Sequence, residues 1–225
     1  CLDFLKKKHR TADAIASHGH TIFHQPDKHF TFQLGDGAYI CAKTRIDCIY
    51  DFRKLDIALL GQGAPLVPIG DQLLFPQYTY CLNLGGFSNI STLTDGKRSA
   101  YDICACNIVL NEMAKDLPGG YDKDGLNARQ GHIHTGLLQQ LNALGFYHTQ
   151  GAKSLGREWV EEVVFPLLSA SGLSRDDLLA TYTEHAAEQI GKSMTKSGSC
   201  LTTGGGAWNS YLTERIQAHT QTCLV

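Results

Sequence analysis

Residues 82–107 constrain the fold of this chain more than any other stretch. An apolar run over residues 79–84 enters the pair Gly85-Gly86 and leaves through alternating apolar and polar residues, which is typical of a β-hairpin with a glycine turn. Glycine lets the main chain come close to a ligand, and consecutive backbone N–H groups form a concavity suited to phosphate oxygens. The hairpin therefore predicts a phosphate site.

A second turn, at Asp95-Gly96, folds the next strand back and is expected to bring Asp102 to the end of that strand. A carboxylate beside a phosphate site is typical of phosphoryl transfer with a general base. An ordinary sheet hairpin with an aspartate downstream has the same pattern. The rest of the chain has to separate the two interpretations.

The composition excludes several classes of function. The 225 residues, 43% hydrophobic and 19% charged, are typical of a globular protein of one or two domains. A net charge of -2 offers no footprint for nucleic acid or anionic membranes, and the basic residues 6–10 are interpreted as a solvated helix end. Because the sequence has neither a long apolar run nor the pattern of a signal peptide, we expect a cytoplasmic protein.

The eight cysteines are an even number but lack the spacing of a disulfide framework or a zinc site. Several of them lie inside apolar runs, so we expect buried, reduced thiols. The pair Cys104-x-Cys106 has no second ligand pair, and no metal site is predicted on the protein. The first residue is not Met, residues 2–5 read as the middle of an element, and residues 222–225 read as a strand just beginning, which predicts a chain truncated at both ends.

The first third of the chain predicts short strands over residues 11–16, 30–34 and 48–52, with a short helix from Asp36 to about Lys43. The two histidines at positions 18 and 20 either bind a ligand or fill turn positions. Residues 51–68 have no helical or strand period and combine glycine and proline with Arg53 and Asp56. Such a loop is where ligand contacts gather, although an Arg-Asp pair also suits a structural salt bridge.

The second half is mainly helical. Apolar spacing predicts helices over residues 107–117 and 125–144, a helix opening at residues 156–158, a helix that Ser174 caps, and a helix over residues 209–218. Residues 199–203 read as a strand that enters three glycines, 204–206, before the last helix. Strand, glycine turn and helix N-terminus form a geometry that presents backbone to a nucleotide.

Six stretches, in this order, resemble the anhydro-N-acetylmuramic acid kinase family of the sugar-kinase, actin and hexokinase superfamily. They are Ser17-His18-Gly19-His20-Thr21 with His24-Gln25-Pro26; Asp51-Phe52-Arg53-x-x-Asp56-Ile57-Ala58 with residues 61–68; Asn83-Leu84-Gly85-Gly86-Phe87-Ser88-Asn89-Ile90-Ser91; Tyr121-Asp122-x-x-Gly125; Lys153-Ser154-x-Gly156-Arg157-Glu158; and Thr203-Gly204-Gly205-Gly206-Ala207-x-Asn209. The resemblance implies a two-domain α/β, ribonuclease H-like fold, incomplete in this chain. The expected domains are residues 1–104, with the sugar-side loops and the phosphate hairpin, and residues 105–225, mainly helical with the adenosine-side turn.

The family uses ATP and water to open the 1,6-anhydro ring of anhydro-N-acetylmuramic acid and to phosphorylate O6, which recycles cell-wall sugar. By resemblance, Asp102 is the catalytic base that takes a proton from the attacking water. The expected nucleotide-binding residues are Asn83, Gly85, Gly86, Asn89, Thr203, Gly204, Gly205, Gly206 and Asn209. The expected substrate-binding residues are His18, Arg53, Asp56, Gln62 and Gly63. The implied cofactors are ATP and Mg²⁺ held through the phosphates, and the implied partners are the amino sugar and ATP, without nucleic acid or membrane and with a homodimer left open.

Two departures bear on activity. After the aspartate the family usually continues with Thr-Gly-Pro-Gly-Asn, whereas Ile103-Cys104-Ala105-Cys106-Asn107 stands here, which questions the close backbone approach at that turn. The family's N-terminal glycine hairpin, the other half of the phosphate site, has no counterpart, so residues 1–225 alone are expected to be inactive. The alternative function is a sugar- or nucleotide-binding protein of the same fold that does not catalyse transfer.

Overall fold

The computed structural model describes residues 2–94, 96–149, 151 and 153–225, and the chain forms two compact units, Cys1–Leu66 and Val67–Val225. The sequence predicted a boundary between residues 104 and 105 instead. That boundary would cut the Gly85-Gly86 hairpin from a strand, Ser199–Thr203, to which it is hydrogen-bonded in one sheet. The hairpin therefore lies in the same unit as the C-terminal helices.

The first unit contains two small sheets. Strand β1 (Ala14–Ala16) pairs in parallel with β4 (Asp47–Ile49), and β2 (His20–Gln25) pairs in antiparallel with β3 (Phe30–Leu34). Its helices are α1 (Leu2–Lys7), α2 (Gly37–Thr44) and α3 (Lys54–Ala58). Strand β4 is shorter than predicted, because Asp51 has a φ of +61° and cannot continue an extended strand. In the described part of this unit, Ile57 is the only buried apolar side chain.

The second unit is built on a five-stranded sheet in the order β7-β6-β5-β8-β9. Its strands are β5 (Tyr80–Leu84), β6 (Phe87–Thr94), β7 (Lys97–Ala105), β8 (Ser199–Thr203) and β9 (Cys223–Leu224). The first three are antiparallel, and β8 and β9 continue in parallel beside β5. The mixed sheet is of the ribonuclease H-like type that the resemblance implied. The predicted turn at Asp95-Gly96 includes Asp95, which lies outside the described residues.

Helices cover the core face of this sheet. They are α5 (Asn107–Met113), α6 (Leu126–Gln130), α7 (Thr135–Asn142), α8 (Arg157–Trp159), α9 (Phe165–Ala170), α10 (Arg175–Ser193) and α11 (Ser210–Ala218). Helix α4 (Pro68–Leu74) instead packs against β6 and β7 on the opposite face, where Asp71 accepts the Ser91 hydroxyl. Helix α10 is the most deeply buried, and the Ser174 hydroxyl caps it by accepting the Asp177 N–H at 3.2 Å. None of the helices in the described ranges is long and apolar enough to cross a bilayer.

Two helix predictions were wrong in their extent. The helix predicted over residues 107–117 ends at Met113. The helix predicted over residues 125–144 is broken into α6 and α7, because Gly131 packs against the Asp176 carbonyl where no Cβ would fit. The helix predicted to open at residues 156–158 begins at Arg157, and between α8 and α9 it forms a π-helical turn, Val160–Val164, just before Pro166. Proline has no N–H to donate to the preceding turn, so the α-helical hydrogen-bond pattern is interrupted there.

Candidate active site

Four polar residues lie in one row across the sheet of the second unit. Asn83 on β5 is paired with Asn89 on β6, which is paired with Asp102 on β7, and Thr203 on β8 is paired with Asn83 from the other side. Residues directly opposite each other on neighbouring strands share one face of the sheet. Leu82, one position before Asn83, points to the opposite face and is completely buried in the core. Strand register thus brings together polar residues from distant parts of the chain.

The side chain of Asn83 lies between the two glycine turns. A Cβ added to Gly204 would lie 2.6 Å from Asn83 Oδ1 and 2.8 Å from the Leu84 carbonyl carbon, and one added to Gly85 would lie 3.2 Å from Asn83 Nδ2. Gly204 also has a φ of +85°, a left-handed conformation that favours glycine. The two glycine turns therefore lie next to each other in the structure.

Asn107 is hydrogen-bonded to the first glycine turn and lies beside the second. Its Nδ2 donates to the Leu84 carbonyl at 2.9 Å, and its backbone N–H donates to the Gly85 carbonyl at 3.1 Å. A Cβ on Gly206 would lie 2.8 Å from Leu84 Cβ and 3.2 Å from Asn107 Oδ1. Asn107 was not among the predicted nucleotide-binding residues, although it closes the aspartate motif and begins α5.

A cleft of about 570 Å³ opens beside the second glycine turn. Of the predicted nucleotide-binding residues, the cleft is lined by Gly205, Gly206 and Asn209 and not by Asn83, Gly85, Gly86, Asn89, Thr203 or Gly204. A Cβ on Gly205 would meet no atom closer than 3.9 Å, so the main chain there faces open space. Lining residues to which the sequence assigned no role include Asn111, Tyr121, Asp122, Lys123 and Trp208. Trp208 is 84% exposed, so its ring is accessible at the edge of the cleft.

Asp122 shapes one wall of this cleft. Its Oδ1 accepts the backbone N–H of Asn127 at 2.9 Å, and its Oδ2 accepts that of Ala128 at 2.9 Å, so the carboxylate caps the N-terminus of α6. Gly125 has a φ of +68°, and a Cβ there would lie 2.5 Å from Tyr211 Cβ. The stretch Tyr121-Asp122-x-x-Gly125 therefore forms a turn of fixed shape beside the cleft. That shape explains why the motif has an aspartate at position 122 and a glycine at position 125.

The sequence predicted that Asp102 ends its strand, but β7 continues to Ala105. The Asp102 backbone N–H donates to the Lys153 carbonyl at 3.0 Å, and its Oδ2 accepts the Leu155 N–H at 2.9 Å. The carboxylate is only partly buried. It shares the face of the sheet that carries Asn83 and Asn89, as the pairing of the strands requires.

The two cysteines that follow Asp102 belong to the core. Both thiols are completely buried, and burial raises the pKa of Cys104 to about 12 and the pKa of Cys106 well above its ordinary value. Neither residue has a positive φ, so neither position needs the left-handed conformation that favours glycine. The seven described cysteines are all free.

The predicted substrate-binding residues of the first unit also lie together. Arg53 donates from Nη1 to the Gly63 carbonyl at 2.6 Å and from Nε to His18 Nε2 at 3.2 Å. Asp56 Oδ2 accepts the Gly63 N–H at 2.6 Å, and Gly63 itself has a φ of +61°. Gln62 is exposed between these contacts. We call Arg53, Asp56, Gly63 and His18, with Gln62, the loop cluster.

A neighbouring histidine was not among the predicted site residues. Burial first and the Arg53 charge second lower the pKa of His24, so its ring is neutral at pH 7. Its Nδ1 lies 3.1 Å from Thr31 Oγ1. The stretch His24-Gln25-Pro26 carried the signal for this position.

Comparison with known proteins agrees with these motifs. Residues 2–225 match the family model described as anhydro-N-acetylmuramic acid kinase. Curated relatives of that name include one from Pseudomonas paraeruginosa, 39% identical over 91% of this chain and 59% of the relative, and one from Aliivibrio fischeri, 40% identical over 92% and 60%. The chain therefore spans about three fifths of the length of these relatives.

Solved structures give a weaker likeness. The activator of the 2-hydroxyisocaproyl-CoA dehydratase from Clostridium difficile, with bound ADPNP, matches with a TM-score of 0.44 and 14% identity over 94% of this chain and 85% of that one. A putative N-acetylmannosamine kinase from Listeria monocytogenes matches with a TM-score of 0.34 and 12% identity over 100% and 77%.

Proposed function

The chain belongs to the anhydro-N-acetylmuramic acid kinase family, and we propose that its protein is an ATP-dependent sugar kinase. In the proposed reaction, water adds to the anomeric carbon of anhydro-N-acetylmuramic acid and the bond from that carbon to O6 breaks. O6 then takes the γ-phosphoryl group, ADP leaves, and the proton of the water passes to the base. The product, N-acetylmuramic acid 6-phosphate, returns cell-wall sugar to metabolism.

The observation that carries this proposal is the polar row beside the two glycine turns. It places Asp102, an aspartate suited to act as base, on the same face of one sheet as Asn83 and Asn89. Asn83 in turn touches the glycine turn that opens onto the cleft. A base and a phosphate cradle on one rigid sheet are the parts that phosphoryl transfer requires, because positioning supplies much of its rate.

The cleft suits ATP. Main chain at Gly205 is open to a ligand, and the exposed ring of Trp208 is a surface on which a base can stack. We assign Gly205, Gly206 and Asn209 to the nucleoside side, and Asn83, Gly85, Gly86, Asn89, Thr203 and Gly204 to the phosphate side. Mg²⁺ would be held mainly through the phosphates, where it would neutralise developing charge, and the oxygen donors of Asn83, Asn89 and Asp102 are of the kind it prefers.

The sugar would meet the loop cluster. Arg53 offers guanidinium N–H donors suited to a carboxylate or a hydroxyl, and the carbonyl of Gly63 and the Nε2 of His18, which both accept from it, fix the guanidinium. We place the reaction in the cytoplasm, in keeping with free thiols at all seven described cysteines.

The test is Asp102→Asn in the complete product of the gene, with Asp116→Asn, an exposed aspartate of the same unit, as the matched control. We expect kcat to fall roughly 10²–10⁴-fold, since the amide cannot take the proton. Affinity for an ATP analogue, measured by calorimetry, should change less than about twofold. If the Asp102→Asn protein retained half of the wild-type kcat, the assigned base would be refuted.

The alternative, a binding protein without catalysis, is decided by the wild-type protein in the same assay. Binding of the nucleotide and the anhydro sugar without release of ADP would favour it. Residues 1–225 alone, assayed beside the complete product, test whether this segment needs the rest of the protein for turnover. We expect them to be inactive, because clamping the γ-phosphate needs a wall on each side.

A further inference from the structure

The outer edge of β7 is covered at Asp102. Residues 153–155, here called the clamp segment, run beside it. The Asp102 N–H donates to the Lys153 carbonyl at 3.0 Å, and the Leu155 N–H donates to Asp102 Oδ2 at 2.9 Å. Both partners are main-chain groups. The clamp segment therefore fixes the backbone and the carboxylate of Asp102 at the same time.

The inner edge of β7 is irregular at the same place. The pairing with β6 shifts register between Ser88 and Asn89, which are opposite Cys104 and Asp102, so Ile103 is the extra residue of a bulge. A bulge disrupts the ladder locally and re-aims the neighbouring side chains. Strand pairing alone therefore constrains the direction of Asp102 less than it constrains Asn83, and the clamp segment supplies the missing constraint.

The clamp segment is itself anchored. Lys153 Nζ donates to the Phe146 carbonyl at 3.1 Å and lies 4.5 Å from the centre of the Phe146 ring. That ring packs against Tyr147 and Trp159 at centroid distances of 5.6 and 5.5 Å. Burial is the largest influence on the pKa of Lys153 and lowers it. The ammonium group is thus partly withdrawn from water and held against an aromatic cluster.

We propose that residues 153–155 are a positioning element that aims the Asp102 carboxylate at the reacting water, with the Leu155 N–H as its contact and Lys153 as its anchor. The inference rests on the proposed function and deepens it. It also gives the stretch Lys153-Ser154-x-Gly156-Arg157-Glu158 a physical role, since the first three of its positions form the clamp. A segment that merely covers a sheet edge would need neither a bond to the carboxylate nor this anchor.

The test uses two substitutions at one position in the complete product of the gene. Leu155→Pro removes the N–H that reaches Asp102, whereas Leu155→Ala keeps it and removes only the side chain. We expect Leu155→Pro to lower kcat roughly 10–100-fold, because small misplacements of a catalytic group are costly. The KM for ATP should stay within about twofold of wild type, and Leu155→Ala should stay within about threefold in kcat.

A third measurement separates positioning from general damage. Leu155→Pro is combined with Asp102→Asn, and the residual rate is compared with that of Asp102→Asn alone. If the clamp acts through Asp102, the second substitution has no further effect, because effects of residues that act as a unit are not additive. A further fall of about tenfold in the double variant would overturn the inference, as would a wild-type kcat for Leu155→Pro.

If Leu155→Pro does not fold, the same comparison is made with Lys153→Met, with Lys153→Arg as rescue and Lys192→Met as control. Lys192 belongs to the same unit but pairs with Glu188 and is 63% exposed. Wild-type kcat for Lys153→Met, with Asp102→Asn inactive, overturns the clamp and leaves the proposed function standing. An active Asp102→Asn variant overturns both.

Discussion

The cleft of Val67–Val225 and the loop cluster of Cys1–Leu66 hold their polar groups by different means. Beside the cleft, strand register aligns Asn83 with Asp102 through Asn89, and Gly204 and Gly206 pack closely on Leu84. In the loop cluster, Arg53 is held by individual hydrogen bonds in a unit whose described part buries one apolar side chain. The cleft should therefore depend on backbone fit and core packing, and the loop cluster on single side chains.

The largest expected effect tests the core. Leu82→Ala empties a completely buried position of β5 and should lower the free energy of unfolding of the second unit by roughly 2–5 kcal/mol. Leu59→Ala, at a side chain of the first unit that is 72% exposed, should change stability by less than about 0.5 kcal/mol. Denaturant unfolding, monitored by hydrogen exchange, measures the change in the free energy of unfolding for both variants. Similar values for the two variants would contradict the contrast in packing.

The next effect tests the backbone at the cleft. Gly205→Val should weaken binding of an ATP analogue roughly 10–100-fold in a folded protein, because the side chain would occupy open space beside the main chain. Gly205 does not have a positive φ, so the loss would come from filled space and not from strain. Gly145→Val, at another glycine with free space and no positive φ, is the matched control. Unchanged affinity in calorimetric titration would remove Gly205 from the nucleotide site.

The outcome at these glycines shows what the sequence can predict. Strand β8 (Ser199–Thr203) has the predicted bounds, since an apolar run that ends in glycines is a local signal. The alignment of Asn83 with Asp102 was not visible, because it depends on register between strands. The break at Gly131 arises from contact with the Asp176 carbonyl, which is also distant in sequence.

The candidate site shows the same difference between local sequence signals and contacts made by residues distant in sequence. Motifs indicated Asp102 and the glycine turns, but not the contacts that hold them. The Leu155 N–H carries no side-chain signal, since any residue except proline supplies it. Trp208 stands at the position written x in the last motif, so the motif did not indicate a role for it. Its position at the cleft does. The remaining uncertainty of a sequence-based prediction thus lies in main-chain contacts and long-range pairing.

A smaller effect tests the loop cluster. Arg53→Lys keeps the charge but loses the planar fork that reaches the Gly63 carbonyl and His18 together. We expect the KM for the anhydro sugar to rise roughly tenfold, or about 1.4 kcal/mol, with little change in the KM for ATP. Arg10→Lys, at an exposed arginine of the same unit, should have no effect. An equal rise in both KM values would mean that the cluster does not serve the sugar alone.

The last test concerns acid, and it sharpens the contrast between buried and partly exposed histidines. His185 is completely buried on α10, with Nδ1 at 2.7 Å from Asn142 Oδ1 and Nε2 at 3.0 Å from the Tyr147 hydroxyl. Burial first, with the Lys192 charge second, lowers the pKa of His185 to about 3. His24 in the first unit shifts in the same direction but is only partly buried. Both rings should be neutral at pH 7, and His185 should oppose protonation far more strongly.

Below pH 6.5 the unfolded chain takes up a proton at position 185 that the folded chain refuses until about pH 3. The unfolded state then binds more protons, so stability is complete above pH 6.5 and is lost as the pH falls, by up to about 1.4 kcal/mol per unit. The useful window is about pH 6.5 to 5, above the range in which carboxylates such as Glu184 titrate. There, His185→Gln should flatten the pH dependence of stability of the second unit, whereas His24→Gln should change that of the first unit less. Equal slopes for wild type and His185→Gln would show that this ring is not buried as a neutral group.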